Sequence, residues 1–441
     1  MNEKLSIGGI YNLTPMQEGM LFHTYLNPES AAYFEQFSCT VSGQLDVGLL
    51  ESSFNALIEK YDVLRLNFLH ENMKNPKQIV FKKRAMSVFY ENLSHLDEAE
   101  QVQYIQRFVQ ADQKKGFDLA KEMLLRAAVL QMDDHRYKLI WSYHHIIMDG
   151  WCLKTIVQEL FGVYGALSKG EAVELDEAPP FASYIQWLDR QNRDEARNYW
   201  ADYLQDYDST IELPSFGMRP GGIIKTPDGK ASSSRGLQQQ EEHLPVDCSY
   251  LISEETTLRL EQLARANQVT LNTVLQSAWA LLLGRYNGTE DVVFGSVTSG
   301  RPAEVEGVEE MVGLFINTVP IRVTFGGDQS FSSLIQQVQQ ISLETQNYDF
   351  YPLAEIQNLS TMKRNLINHI YAFQNYPVSA DPVDESEPPF SITELEDFEQ
   401  THYDFNLILM PHEGSRSNSS TMRPGMIHRQ WIGCSSIMST C

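Results

Sequence analysis

Apolar side chains recur along this chain at two periods, one helical and one extended. After Gly150 they fall at Leu153, Ile156, Val157, Leu160, Phe161 and Tyr164, the stripe of an amphipathic helix facing a core. The stretch before it, "YKLIWSYHH", has the aromatic and branched residues of a strand. "LESSFNALIEKYDVLRLNF" begins as a helix with Leu50, Phe54, Leu57, Ile58 and Tyr61 on one face, and turns into a strand over Val63–Phe68. "SEETTLRLEQLARANQ" and "SFSSLIQQVQQISLETQ" read as helices, and "DVVFGSVTSGR" as a buried strand running into a loop. Helix and strand therefore alternate, the pattern of an α/β fold.

The segment Pro214–Pro245 breaks this pattern. It is rich in Pro, Gly, Ser and Gln and reads as a linker or long mobile loop. On either side lie parts of roughly similar size. Each holds a helix–strand unit, Leu50–Phe68 in the first and Leu271–Phe294 in the second, which hints at two similar lobes. With 441 residues, two or three folded units are expected.

The formal net charge is −24, which argues against nucleic acid and against an anionic membrane surface, because both need Lys/Arg patches. No apolar run is long enough to span a bilayer, and "MNEKLSIGGI" lacks the apolar core of a signal peptide. Cys39, Cys152, Cys248, Cys434 and Cys441 are scattered, with no CxxC pair, so reduced thiols and a cytoplasmic location are expected.

Candidate chemistry concentrates in "SYHHIIMDGWC". His144 and His145 stand at a strand end and Asp149-Gly150 at a helix start, where α/β proteins place functional groups. Adjacent strand residues point to opposite faces, so the two imidazoles do not converge on one ion, and no HExxH accompanies them; no metal is expected. No Ser or Cys lies in a nucleophile elbow, and Cys152 has no evident activating partner. One histidine then faces a cleft and the other the core. A neutral imidazole accepts a proton from an amine or hydroxyl. Asp149 is open to two readings: a plain helix N-cap, or an acid holding the loop through a buried ion pair with an arginine. Gly150 lets a substrate approach the backbone, and its N–H suits an oxyanion. This set fits acyl transfer between two bound substrates without an acyl-enzyme.

"HHIIMDG" matches HHxxxDG, and the chain resembles the condensation domains of nonribosomal peptide synthetases. "LTPMQEGMLF" (Leu13–Phe22), "YDVLRLNF" (Tyr61–Phe68), "PPFASYIQWLDRQ" (Pro179–Gln191), "DVVFGSVTSGRP" (Asp291–Pro302), "MVGLFINTVPIRV" (Met311–Val323) and "FQNYP" (Phe373–Pro377) follow in the family's order, from about residue 11 to 412. Lys60-Tyr61 stands where the family usually has Arg-His. The resemblance implies two chloramphenicol-acetyltransferase-like lobes in a V, with a tunnel between them. Here that means an N-terminal lobe over residues 1–178 and a C-terminal lobe over 179–441. Donor and acceptor thioesters would enter from opposite sides on the 4′-phosphopantetheine arms of carrier domains, with no cofactor bound by the domain itself. Upstream and downstream carrier domains, and adenylation and epimerization domains of the same synthetase, would be its partners.

Carried over residue by residue, the resemblance makes His145 and Gly150 catalytic and His144 and Asp149 structural. Arg65 is the choice for the ion-pair partner of Asp149. Trp151, Ser299, Gly300, Arg301 and Asn317 are placed on the tunnel wall. A free α-amine has a pKa near ~7.7–8.0, so generating the neutral nucleophile at pH 7 costs only about 1 kcal/mol. Holding two tethered substrates in attack geometry contributes up to ~7–11 kcal/mol. His145 is accordingly a base or a group that positions the amine. "TPMQEGMLFH" and "HHIIMDGWC" resemble the subtype that follows an epimerization domain and takes a D-configured donor. An epimerization domain shares HHxxxDG, but "MDGWC" and "GLFINTVP" are closer to condensation. A heterocyclization domain replaces the histidines. A non-catalytic docking module of the same fold would be expected to lose His145 or Gly150.

After "HYDFNLILMPHEG" the character of the chain changes. "SRSNSSTMRPGMIHRQWIGCSSIMSTC" shows no strand alternation, and "SRSNSS" has no core-forming residue. A permitted back-translation from Gly414, beginning GGC TCG AGA TCA, reads LEIKFQYNAAGNDTQAVDRLFEHYVNM when entered two bases later. That is an alternating strand followed by a helix, similar to the family's ending. Residues 415–441 are therefore expected to be out of frame, through one nucleotide lost at or near the Gly414 codon, and to carry no function. Sequencing the encoding DNA checks this: a single-base change near that codon should restore a frame reading LEIKF, and its absence refutes the shift.

Overall fold

The computed structural model describes residues 6–27, 30–70, 73–173, 175–213, 224–225, 231–232, 250, 252–375, 390–403, 405–411 and 428–429. The first half contributes strands β1 (Ile7–Tyr11), β2 (Phe34–Gly43), β3 (Leu66–Leu69), β4 (Lys77–Phe81), β5 (Phe89–Asn92), β6 (Leu125–Gln131) and β7 (Arg136–His144). Its helices are α1 (Pro15–Leu26), α2 (Val47–Lys60), α3 (Glu98–Lys115) and α4 (Trp151–Ser168). Helices α5 (Ala182–Leu188) and α6 (Arg193–Tyr203) lead to the short strands β8 (Ile224–Lys225) and β9 (Ala231–Ser232). Then come α7 (Glu254–Ala266), α8 (Leu271–Asn287), β10 (Asp291–Thr298), β11 (Asn317–Thr324), α9 (Phe331–Gln346) and α10 (Leu353–Leu359). Strands β12 (His369–Phe373), β13 (Phe390–Glu399), β14 (Phe405–Leu409) and β15 (His428–Arg429) complete the described elements.

Two five-stranded sheets organise two lobes. The first has the order β13-β2-β7-β6-β5 and the second β11-β10-β12-β14-β15. Alternation along β6 and β7 gives the first sheet two buried faces. Val129, Leu139 and Trp141 join Phe54 and Leu57 of α2 and Ile156 and Leu160 of α4 in the larger core. Ala128, Leu130 and Ile140 point the other way, against Tyr104, Ile105 and Phe108 of α3. In the second lobe Val292, Phe294, Val319 and Ile321 of the central strands pack with Trp279 and Leu283 of α8 and with Leu334 and Val338 of α9. The two-lobed α/β expectation stands, and the helices read from the sequence agree with α2, α4, α7, α8 and α9.

The boundary at residue 178 needs correction, because two later segments belong to the first lobe. β13 pairs antiparallel with β2, from Phe390↔Gly43 to Glu399↔Glu35, so the edge of the first sheet finds its ladder partner in the second half of the chain. The loop after β10 also crosses over: Val305, Val308, Met311, Val312, Leu314 and Phe315 lie in the first core, as do Phe181, Tyr184 and Ile185.

The match drawn between Leu50–Phe68 and Leu271–Phe294 is corrected as well. β10 is an interior strand of the second sheet, whereas β3 leaves the main sheet for a three-stranded one, β1-β4-β3. A 3-10 turn over Asp62–Arg65 redirects the chain between α2 and β3.

Apart from the hairpin strands β8 and β9, the stretch read as a linker lies outside the described residues. So does the out-of-frame reading of 415–441, except that His428 and Arg429 pair antiparallel with Ile408 and Leu407. No described helix is long and apolar enough to cross a membrane.

Candidate active site

The HHxxxDG stretch begins where β7 ends. Opposite residues of paired strands share a face, and the register sets Phe34 against His144 and Glu35 against Tyr143. His144 therefore enters the core while Tyr143 and Glu35 face a cavity of about 1190 Å³ bounded by both lobes. A 3-10 turn starts at His145, whose N–H donates to the Tyr33 carbonyl at 2.8 Å. The break in the strand brings the His145 ring to the same cavity.

His144 is locked as a neutral group. Its Nδ1 accepts from the Ile146 amide at 3.1 Å. Burial, with His145 alongside, pushes its pKa down to about 3. The sequence reading of one imidazole in the core and one in a cleft is what the fold delivers. The Nδ1 of His145 is buried and has no hydrogen-bond partner among the described residues.

Asp149 is fully buried and meets the loop that crosses over from the second half of the chain. Its Oδ2 accepts from the amides of Phe315 at 3.0 Å and Ile316 at 3.4 Å, and its own N–H donates to the Gly313 carbonyl at 3.1 Å. The N-cap reading is thereby corrected: the N-cap of α4 is Gly150, with no side-chain cap bond. The ion-pair partner is corrected too. Arg301, not Arg65, lies 3.5 Å from Asp149 Oδ1, with both side chains almost wholly buried. Arg301 also donates to the Met311 carbonyl at 3.1 Å and stacks its guanidinium 4.0 Å from the centre of the Phe315 ring.

Arg65 is occupied elsewhere. It donates to the carbonyls of Ile58 and Glu59 at the end of α2, to Phe81 at 2.9 Å, and to Asp62. It serves the carbonyls that a helix C-terminus leaves open.

Cys152 sits inside the same clamp, 3.3 Å from both Asp149 Oδ1 and the Gly313 carbonyl. Burial, then the neighbouring Asp149, holds its thiol well above the ordinary range, so it is no nucleophile.

The residues expected on the tunnel wall divide into two groups. Trp151 and Ser299 line the cavity, as does Gly150, which was expected at the site in a catalytic role. Asn317 touches it, but its Nδ2 is spent on the carbonyls of Asp349 at 2.6 Å and Tyr351 at 3.0 Å, which makes it a brace. Arg301 likewise reaches the cavity, while its charge is turned to Asp149. Gly300 is corrected from tunnel wall to packing: its φ is +60°, and a Cβ there would collide with the Phe315 carbonyl. Only glycine lets the β10 loop lie this close to the segment before β11 that carries Asp149's amide donors.

Sequence reasoning missed several groups around His145. Glu35, His145 and Glu399 each bring a ligand-type atom within 4.8 Å of one another. The signal available for Glu35 was the one charged residue inside the "YFEQFSCTV" strand. Glu399 offered none, because its neighbour lies at the other end of the chain. Tyr33 and His402 are hydrogen-bonded to each other, and the His402 ring stacks on His23 with centroids 3.8 Å apart. Burial, then His23, pushes the His402 pKa down to about 3.

A condensation-domain family profile matches residues 7–418. Tyrocidine synthase 3 of Brevibacillus parabrevis is 42% identical over 409 residues, covering 93% of this chain and 6% of that protein. Gramicidin S synthase 2 of Brevibacillus brevis is 38% identical over 414 residues, covering 93% of this chain and 9% of its own length. The chain thus spans a small part of these curated relatives. Among solved structures, the starter condensation domain of rhizomide synthetase superposes with a TM-score of 0.72 at 19% identity, over 96% of this chain and 90% of that one. The first condensation domain of the CDA synthetase does so with a TM-score of 0.69 at 18% identity, over 96% and 93%. At such identities the likeness speaks for the fold.

Removing one member of a buried ion pair leaves an uncompensated charge, at a cost of ~3–5 kcal/mol. Arg301→Ala and Asp149→Asn should each lower the midpoint of urea unfolding accordingly, and the double variant should cost less than the sum. Arg65→Ala should show no such coupling to Asp149→Asn in the same double-mutant cycle; coupling there would restore Arg65 as the partner.

Proposed function

This chain belongs to the condensation-domain family of nonribosomal peptide synthetases, and from that premise we propose that it joins two carrier-bound substrates through a peptide bond. The observation that carries this reading is the placement of His145 on the wall of the cavity between the lobes, with its loop pinned through Asp149 to the crossover loop from the second half of the chain. A donor aminoacyl or peptidyl thioester and an acceptor aminoacyl thioester meet there, each on a phosphopantetheine arm of a carrier domain. Adenylation domains of the same synthetase load them.

In this reading His145 orients the acceptor amine and accepts its proton. The nitrogen attacks the donor carbonyl, and the tetrahedral oxyanion forms next to the start of α4, where the Gly150 amide and the positive end of the helix dipole favour negative charge. Collapse expels the donor thiolate. Cys152 takes no part, and the buried neutral His144 holds the turn. The donor is a D-configured residue, a reading supported by the "TPMQEGMLFH" and "HHIIMDGWC" contexts.

His145→Ala should fold with an unchanged circular-dichroism spectrum and lower single-turnover peptide formation from preloaded carriers by roughly 10²–10⁴. An unchanged rate would remove His145 from the chemistry. With donor carriers loaded with either enantiomer, the D-residue should couple faster; equal or reversed preference would overturn the stereochemical reading.

A further inference from the structure

We infer that Tyr33 is a positioning residue for His145: its backbone and its hydroxyl tie the turn that carries the imidazole to the segment that follows β13. This inference rests on the condensation reading above and adds to it a residue that acts through His145 rather than on the substrate.

The backbone of Tyr33 carries the first half of the inference. Strand β2 lies between β13 and β7, and Tyr33 stands just before it. In an extended strand the N–H and C=O of one residue point to the same neighbour, so a paired residue exchanges both bonds with one partner. Tyr33 divides them. Its carbonyl accepts from the His145 N–H at 2.8 Å, on the β7 side. Its N–H donates to the Gln400 carbonyl at 2.7 Å, on the β13 side. An unbroken ladder would pair the His145 carbonyl with Tyr33; that carbonyl accepts instead from the Met148 N–H at 3.2 Å. Tyr33 thus bridges the two neighbours of β2 at the point where β7 gives way to the 3-10 turn of His145.

Such a split takes the backbone out of the extended region, and Tyr33 has a φ of +67°. It occupies the third place of a turn closed by the Phe34 N–H on the Ala31 carbonyl at 3.1 Å. With a positive φ, that place favours glycine or asparagine. For a bulky residue the conformation is strained and persists only where the surroundings fix it. Glycine would adopt it freely, so the tyrosine side chain must supply contacts that offset the strain.

Those contacts carry the second half. Tyr33 is buried, and its hydroxyl is hydrogen-bonded to Nδ1 of His402. Its ring leans on His144 and His23, with centroids 6.3 and 6.5 Å apart. His402 is held in turn, stacked on His23 and against Tyr403 with centroids 3.8 and 3.9 Å apart. Burial, then Tyr403, raises the Tyr33 phenol, and burial, then His23, lowers His402 to about 3, so the bond joins two neutral groups. Gln400 and His402 therefore hold Tyr33 at its amide and at its hydroxyl, and Tyr33 holds the His145 amide. A shift of a reacting group by about 1 Å is enough to cost up to ~10²-fold in rate, so a looser Tyr33 reaches the chemistry through the imidazole it supports.

The test uses the whole chain with a preloaded donor carrier and a soluble aminoacyl thioester of N-acetylcysteamine as acceptor. Tyr33→Phe keeps the ring and the backbone and removes the hydroxyl; it should lower kcat about tenfold, with the acceptor KM and the melting temperature unchanged. His402→Phe should reproduce that loss, and the double variant should lose no more than either single one, because the two groups share one bond. In the His145→Ala background Tyr33→Phe should change the residual rate less than about twofold, since its effect runs through the missing imidazole. A general structural defect, or a direct contact of the hydroxyl with substrate, would lower the rate equally in both backgrounds and overturns the inference. An unchanged kcat in Tyr33→Phe, with wild-type protein forming peptide, overturns it too and leaves the condensation reading standing. Absence of peptide from wild-type protein overturns the condensation reading instead.

A second measurement does not depend on turnover. In protein labelled at histidine, the His145 ring resonances are identified by their loss in His145→Ala. They should shift or broaden in both Tyr33→Phe and His402→Phe. His145 resonances that stay in place in either variant overturn the inference, whatever the rates.

Discussion

The buried contact between Asp149 and the crossover loop after β10 governs how this molecule presents its chemistry. One carboxylate accepts from two amides, Phe315 and Ile316, and from the guanidinium of Arg301. A charge so deeply enclosed is tolerated only when its lone pairs are satisfied, and here, beside the Cys152 thiol, the two amides and the guanidinium come from the other half of the chain. The turn bearing His145 is therefore not a loop on one lobe. It is one side of a junction, and the position of the imidazole in the cavity follows from how the two halves of the chain meet there.

Several features that look unrelated answer to that junction. Gly300 takes a left-handed φ because the loop that delivers Arg301 must pass against the Phe315 carbonyl. Gly313 is equally constrained, since a Cβ there would enter the Phe181 ring. Phe315 serves twice, through its amide on Asp149 and its ring under Arg301. Cys152, wedged among Asp149, Arg301 and Gly313, fills the clamp with a neutral thiol whose burial removes its reactivity. The neutral His144 completes the support from below, with its Nδ1 spent on the Ile146 amide.

The second crossing, β13 onto β2, closes the cavity from the other side. It supplies Glu399 opposite Glu35 and is followed by Thr401, His402 and Tyr403 along the cavity wall. Both halves thus contribute to the surroundings of His145 by two independent routes, one through a loop packed in the first core and one through a strand added to the first sheet.

The sequence by itself determined the α/β class, the main helices, the strand-to-helix placement of the HHxxxDG stretch and the opposite fates of its two histidines. These follow from short-range rules: a stripe at helical spacing, alternation along a strand, a glycine at a helix start. Seven ordered motifs carried the family. What only the tertiary structure decided were the relations between distant segments. Arg65 stood in a plausible motif, but it ends a helix next to its own carbonyl acceptors, and the arginine that meets Asp149 lies beyond the β10 turn. Residues 390–399 fall late in the chain yet complete the first sheet, since an edge strand takes whichever extended segment the topology returns to it. Glu35 and Glu399 become neighbours only through that register. A one-dimensional pattern records what each residue prefers locally; which buried charge meets which donor is set by where the backbone crosses from one lobe to the other.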